Sequence, residues 1–150
     1  MPAWRDIWVL VLLAVLAAGT ALLQSRQVPM AAHDAAIRSV IADQIAAFQR
    51  NDDDAAFAHA SPDLQLQFSV APHFMAMIKA HYRPVYRAQK VDFDGAARAI
   101  QQQPEMRIQY VHLVDDRGTG HRARYTMQKQ PDGSWRIAGC HLLQSGLIDI

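Results

Sequence analysis

The chain has 150 residues, 51% of them hydrophobic, and balances 15 Lys and Arg against 14 Asp and Glu for a formal net charge of +1. That balance argues against a dedicated nucleic-acid binder, which carries a basic patch or stripe. The single cysteine, Cys140, rules out an internal disulfide and a cysteine zinc site.

The first element is apolar. Residues 7 to 23, Ile7 to Leu23, are seventeen uncharged and mostly apolar residues. As a helix they span roughly 25 Å, against about 30 Å for the hydrocarbon core of a bilayer. Gln24 and Ser25 nearly close the gap, local thinning accommodates the rest, and Trp4 and Trp8 stand where interfacial aromatics stand. A cleaved signal peptide is the alternative. Its small-x-small pairs, Ala17 with Gly19 and Gly19 with Ala21, lie inside the apolar tract, and Arg5 is offset at once by Asp6. An uncleaved anchor over residues 1–24 is the preferred expectation, with the membrane as its partner. Residues 25–32, with Pro29 and no periodicity, read as a linker. Residues 33–145 are then one domain and 146–150 a tail. Roughly 115 residues suffice to bury a core without staples.

Within the domain, His33 to Arg50 reads as a helix, because Ile37, Val40, Ile41, Ile45 and Phe48 recur at three- and four-residue steps. Asn51 to Asp54 ends it and caps a short helix from Ala55 to Ala60. Ser61-Pro62-Asp63 starts another. Pro72 opens a helix with Phe74, Met77, Ile78 and His81 on one face, and Pro84 stops it. The period then becomes two. Val91 and Phe93 begin a strand that Gly95 is expected to break, with a poorly marked strand over residues 97–103. Met106 to Val114, His121 to Gln130 and Ser134 to Leu142 follow as strands, separated by turns at Asp116-Arg117-Gly118 and Pro131-Asp132-Gly133. Helices followed by consecutive antiparallel strands predict an α+β fold with the helices on one side of a sheet.

Several blocks carry a resemblance: Ala60-Ser61-Pro62-Asp63 with Phe68, Phe74 to Met77, Tyr82-Arg83-Pro84-Val85-Tyr86-Arg87, and the most specific, Pro131-Asp132-Gly133-Ser134-Trp135-Arg136-Ile137-Ala138-Gly139-Cys140. Over residues 34 to 143 the chain resembles a bacterial family of exported proteins catalogued as a domain of unknown function. Its element order is similar to the nuclear-transport-factor-two-like, or ketosteroid-isomerase-like (SnoaL-like, cystatin-like), superfamily. That resemblance implies helices packed into a curved antiparallel sheet around a cone-shaped pocket. It also implies export, hence an inner-membrane anchor with the domain facing the periplasm, or a secreted periplasmic domain if the segment is cleaved. The positive-inside rule hardly decides orientation, since Arg5 and Arg26 flank the segment on opposite sides. No activity follows, because the superfamily hosts isomerases, dehydratases, hydrolases and non-catalytic binding domains. Residues 96–105 depart from the family's usual turn.

Strand alternation sorts the sheet residues into two faces. One holds Met106, Ile108, Tyr110, His112 and Val114, then Ala123, Tyr125 and Met127, then Trp135, Ile137 and His141. It is richer in large apolar groups and is expected to face the helices. The other holds Arg107, Gln109, Arg122, Arg124, Thr126, Gln128 and Arg136, with Val111, Leu113, Cys140 and Leu142. His112, His141, Tyr110 and Tyr125 are therefore the candidates for an internal cavity, where a histidine could act as general base and a tyrosine hydroxyl could stabilise an oxyanion. The same four also read as core residues whose polar tips reach water or a backbone carbonyl. Tyr82, Tyr86 and Trp135 complete the candidate ligand-binding set, although Tyr82 and Tyr86 equally read as fixing the corner at Pro84. No carboxylate falls on the expected inner face. Asp63 reads as a cap, Asp92 and Asp94 as solvated, and the arginines as a soluble surface or an anion site. The seven histidines show no metal spacing, and no motif requires a cofactor. Cys140 reads as a small buried residue. Three functions remain open: a non-catalytic binder of a small apolar ligand or a protein partner, a His/Tyr enzyme of the isomerase, dehydratase or hydrolase type, and a module that homodimerises through its sheet.

Overall fold

A computed structural model describes residues 29–143. Ile7 to Leu23 and the tail at 146–150 lie outside the described residues. Five helices precede four strands: α1 (Met30–Gln49), α2 (Asp53–Ala58), α3 (Pro62–Phe68), α4 (Ala71–His81), α5 (Arg83–Tyr86), β1 (Ala88–Ile100), β2 (Gln103–Asp115), β3 (Gly120–Lys129) and β4 (Trp135–Leu143). The strands form one antiparallel sheet in the order β1-β2-β3-β4. The α+β expectation holds, and the compact unit begins at His33.

The apolar stripe makes α1. Ile37, Ile41, Ile45 and Phe48 are all buried. The helix starts at Met30, inside the stretch expected to be linker, one residue after Pro29, which places the ring where no helical N–H is lost. It ends in a left-handed Asn51 (φ 54°). The amide of Asn51 donates to the Phe48 carbonyl and that of Asp52 to the Ala47 carbonyl, so two terminal carbonyls are satisfied. The Asp52 carboxylate then accepts from the Ala55 amide at 3.0 Å and starts α2 two residues earlier than expected. Ser61 caps α3 through the Leu64 amide, with Pro62 in its first turn. Between α2 and α3 the chain runs beside β4: Ile137 donates to the His59 carbonyl and Ser61 donates to the Ile137 carbonyl, each at 2.8 Å. On α4, Phe74, Met75 and Ile78 are buried and His81 is exposed, so the face is rotated from the expected one. Pro84 ends α4 and at the same time opens α5.

Gly95 does not break the first strand. It bends it. Asp94 pairs with Tyr110 and Arg98 with Ile108, so β1 carries two extra residues there, with Gly95 at φ 67°. Such a bulge leaves backbone groups unpaired, and α1 and β2 supply their partners. Arg38 (2.8 Å) and the Gln109 amide (3.3 Å) donate to the Gly95 carbonyl, and the Asp34 carboxylate accepts from the Ala97 amide at 3.0 Å. Residues 97–103 are not a separate strand. Ile100 pairs with Gln103 across a two-residue turn in which Gln102 takes φ 68°.

The turn from β2 to β3 is built on Asp115. Its carboxylate accepts from the amides of Arg117 and Thr119 and lies 2.9 Å from His121 Nε2. The His121 contact and the two amides hold the carboxyl at about 2, below its ordinary 3.8. A depressed folded-state pKa stabilises the fold fully above the unfolded value and ceases to do so as pH falls through the folded one. Asp115→Asn is therefore expected to lower the melting temperature at pH 7, and the gap to the parent should narrow between pH 4 and pH 2. A gap that stays constant over that range in thermal melts would contradict this role.

The two faces of the sheet differ from those that alternation suggests. The buried face holds Val91 and Phe93 of β1, Gln109, Val111 and Leu113 of β2, Ala123, Tyr125 and Met127 of β3, then Trp135 and Ile137 of β4. On β2 the inner and outer sets are exchanged. Both sets contain large apolar residues, so the strand's own pattern is ambiguous, and the pairings of Val111 with Ala123 and Gln109 with Tyr125 decide it. Tyr110 and His112 thereby fall on the outer face. On β4 the register shifts at Ala138, since Met127 pairs with Ile137 and Thr126 with Gly139. One extra residue reverses every later side chain, so Cys140 and Leu142 pack against the core and His141 is exposed.

Candidate functional site

The helices do not close completely over the inner face. Between α3, α4 and the β3–β4 side of the sheet lies a cavity of about 390 Å³, within the size range of small-ligand sites. Phe48 of α1, Leu64 and Phe68 of α3, and Met77 and Ile78 of α4 form its apolar walls. Phe74 anchors them, with Phe57 and Phe68 rings at 5.5 Å and Phe48 at 6.4 Å. These aromatic contacts rigidify the walls, because edge and offset ring packing is favourable beyond the area it buries. By contrast α3, which carries two of the wall residues, has no fully buried residue and leaves Leu66 78% exposed, so it is the least anchored wall.

The polar atoms of the cavity are few. Gln44 is buried, and its amide donates to the Ala56 carbonyl at 3.2 Å, which ties α1 to α2. Tyr125 rises from the middle of β3 and is fully buried, and its hydroxyl has no hydrogen-bond partner beyond the weak one offered by the Cys140 sulfur beside it. Burial pushes the Tyr125 phenol well above its ordinary value, and the neighbouring Cys140 adds to this. The Tyr82 phenol is raised for the same two reasons. Burial pushes the Cys140 thiol up to about 12, against the opposing hydrogen bond from Tyr125. All three groups are neutral near pH 7. At a pKa of about 12 the thiolate fraction at pH 8 is roughly 10⁻⁴, so Cys140 is expected to resist iodoacetamide in the folded chain and to react in denaturant. Rapid native alkylation, followed by mass spectrometry, would contradict this.

Of the residues expected at the site, Tyr82 and Tyr125 line the cavity. His141 borders its rim with the side chain exposed. Tyr86 is buried elsewhere and donates its hydroxyl to Asn51 Oδ1, fixing the corner between α1 and α5. Trp135 packs edge-on to His33 at 5.7 Å and under the Arg107 guanidinium at 5.9 Å. Tyr110 and His112 are removed from the cavity by the inversion of β2. The guanidinium groups of Arg98 (5.5 Å) and Arg122 (4.9 Å) both stand over the Tyr110 ring. His112 Nε2 is 3.7 Å from Asp94, and Arg122 takes the same carboxylate at 2.7 Å. Their carboxylate neighbour stands on an open face, not in a pocket. Asp92 is exposed beside Lys90, and Asp63 is exposed in the first turn of α3. Three of the four arginines read as a possible anion site are engaged within the chain: Arg107 donates to the carbonyls of Pro104 and Met106, Arg136 to that of Ala58, and Arg122 to Asp94.

Phe48 and Met77 were visible in the sequence on apolar helix faces but not as cavity walls, and Phe68 only as part of a block that carries the family resemblance. Cys140 was placed on the wrong face. The one clue was Gly139, since a glycine inside a strand often marks a bulge.

Among the described residues no group of three His, Cys, Asp or Glu is placed to hold a metal ion, and no helix is long and apolar enough to cross a membrane. No curated protein and no solved structure matches the chain. A family model described as a domain of unknown function, DUF4864, matches residues 30–148, about four-fifths of the chain, which therefore belongs to that family.

Proposed function

We propose that this chain is an exported, membrane-tethered domain of the nuclear-transport-factor-two-like type that binds a small apolar ligand without catalysis. The observation that carries the proposal is the 390 Å³ cavity, whose walls are aromatic and aliphatic side chains and whose polar groups, the buried Tyr125 phenol, the half-buried Tyr82 phenol and the Cys140 thiol, are held neutral. Apolar walls with a few convergent polar groups favour uptake of an apolar molecule. General acid–base work at neutral pH needs a group that titrates there, and burial has moved Tyr125, Tyr82 and Cys140 the other way. Export and tethering rest on the apolar run from Ile7 to Leu23. The enzyme reading, which draws on His112 or His141 with Tyr110 or Tyr125, loses His112 and Tyr110 to the outer face, and His141 keeps its side chain exposed at the rim. Sheet-mediated pairing gains no support from that face, because the exposed large apolar side chains among the described residues, Met30, Leu66 and Val70, all lie outside the strands.

Titration of the full chain with the neutral fluorescent dye phenylnaphthylamine tests this reading. One-to-one binding with a low-micromolar Kd, on the order of −8 kcal/mol, is expected, and it should disappear when the cavity is filled. Absence of saturable binding at about 100 μM would overturn it.

A further inference from the structure

The outward surface of α3 and α4 does not match a helix pair that faces water. The solvent stripe of a globular helix normally carries charged and polar residues. On α4 the exposed stripe is Pro72, His73, Ala76, Lys79 and Ala80. Pro72, Ala76 and Ala80 are apolar, and no residue of the stripe is acidic. At the corner that leads into α4, Leu66 is 78% exposed and Val70 46%, two of the three large apolar side chains left exposed among the described residues. Leu66 is not part of the cavity, whose lining on α3 is Leu64, Gln67 and Phe68. The patch is therefore a separate surface on the outside of the cavity's least anchored wall.

Charge runs the same way. Residues 64 to 91 contain no Asp or Glu, and they hold Lys79, Arg83, Arg87 and Lys90, in a chain whose net charge is only +1. Arg83 and Lys90 are offset by Asp116 and Asp92. Lys79 and Arg87 are exposed and stand over the Tyr86 ring, at 5.5 and 4.6 Å. Neither has a carboxylate partner among the described residues. Asp63, one turn before Leu66, bounds the patch. Exposed aliphatic side chains beside unpaired bases suit an anionic bilayer surface, where the first enter the acyl boundary and the second meet phosphates. The linker favours a bilayer over a protein partner. With Ile7 to Leu23 in the membrane, Gln24 to Pro29 are six residues, at most about 20 Å of extended chain, so the domain stays close to the headgroups.

We propose that α3 and the solvent stripe of α4 lie on the tethering membrane, with Leu66 and Val70 in the acyl boundary and Lys79 and Arg87 at anionic headgroups. The proposal rests on the tether in the reading above and goes beyond it by assigning the bilayer as the partner of this face.

Hydrogen exchange of the full chain tests it, in phosphatidylcholine vesicles with and without phosphatidylglycerol. Amides of residues 64–73 should exchange more slowly when phosphatidylglycerol is present, and those of β3 at the same rate in both. Leu66→Asp should reduce that protection about tenfold, the scale of burying one leucine. Because Leu66 is exposed and outside the cavity lining, the variant should fold and bind phenylnaphthylamine as the parent does. Replacing both Lys79 and Arg87 by Gln should remove the dependence on phosphatidylglycerol. Equal exchange over residues 64–73 in the two vesicles, or protection that Leu66→Asp leaves intact, would overturn the proposal while leaving the tether and the cavity as they stand. A chain that floats with neither vesicle would overturn the tether and the docking together, and its dye titration would still report on the cavity.

Discussion

Phe48→Ala is expected to destabilise the domain by about 3–5 kcal/mol. Phe48 is 1% exposed at the last turn of α1, stacks on Phe74 at 6.4 Å and meets Tyr86 edge-on at 6.2 Å. It thus joins the longest helix to α4 and to the corner at α5. Its removal forfeits the transfer energy of a large aromatic side chain and leaves a void. Collapse cannot fill that void cheaply, because the ring already borders the 390 Å³ cavity and its loss enlarges an existing space. Set against a typical total stability of about 5–15 kcal/mol, this is about a fifth of the total or more. Urea unfolding followed by circular dichroism should show a lower midpoint with an unchanged slope. A loss below about 1 kcal/mol would mean that α1 is not seated on the sheet as described.

Met77→Trp should have the opposite profile, with little change in stability and a large change in binding. Met77 is half-buried on α4 and lines the cavity. Overpacking a filled core typically costs about 1–3 kcal/mol, but here the added indole enters empty space. Met and Trp also differ little in helix propensity. Thermal stability should therefore change by less than about 1 kcal/mol, while phenylnaphthylamine affinity falls by roughly a hundredfold, because a ligand of that size cannot share the volume with an indole. If the dye binds the variant as well as the parent, it binds elsewhere and the cavity is not the site. The pair of variants separates wall from occupant: Phe48→Ala weakens the wall, Met77→Trp takes the ligand's place.

The helical half of the domain was legible because its determinants are local. The apolar stripe of α1, the Ser61-Pro62 start of α3 and the Pro84 stop are each written within a few residues. So were the turns at Asp116-Arg117-Gly118 and Pro131-Asp132-Gly133, where Gly118 and Gly133 take φ 77° and 86°. The site was less legible. Two of the four residues proposed for its chemistry, Tyr110 and His112, sit on the opposite face of the sheet, and the thiol that stands by Tyr125 was assigned outward.

The physical reason is the two-residue period of a strand. Composition and local pattern alone determined the class of fold, the order of helices before strands, the last three strands, the balance of charge, and the apolar character of Ile7 to Leu23. They could not determine which side of β2 faces the helices, because Met106, Ile108 and Tyr110 compete with Val111 and Leu113. That choice depends on partners from elsewhere in the chain: Ala123 and Tyr125 across the ladder, and the Gly95 carbonyl that Gln109 must reach. Nor could they reveal the extra residue at Ala138, which turns Cys140 inward and His141 outward. Tertiary packing settled both, and with them which polar atoms stand in the cavity.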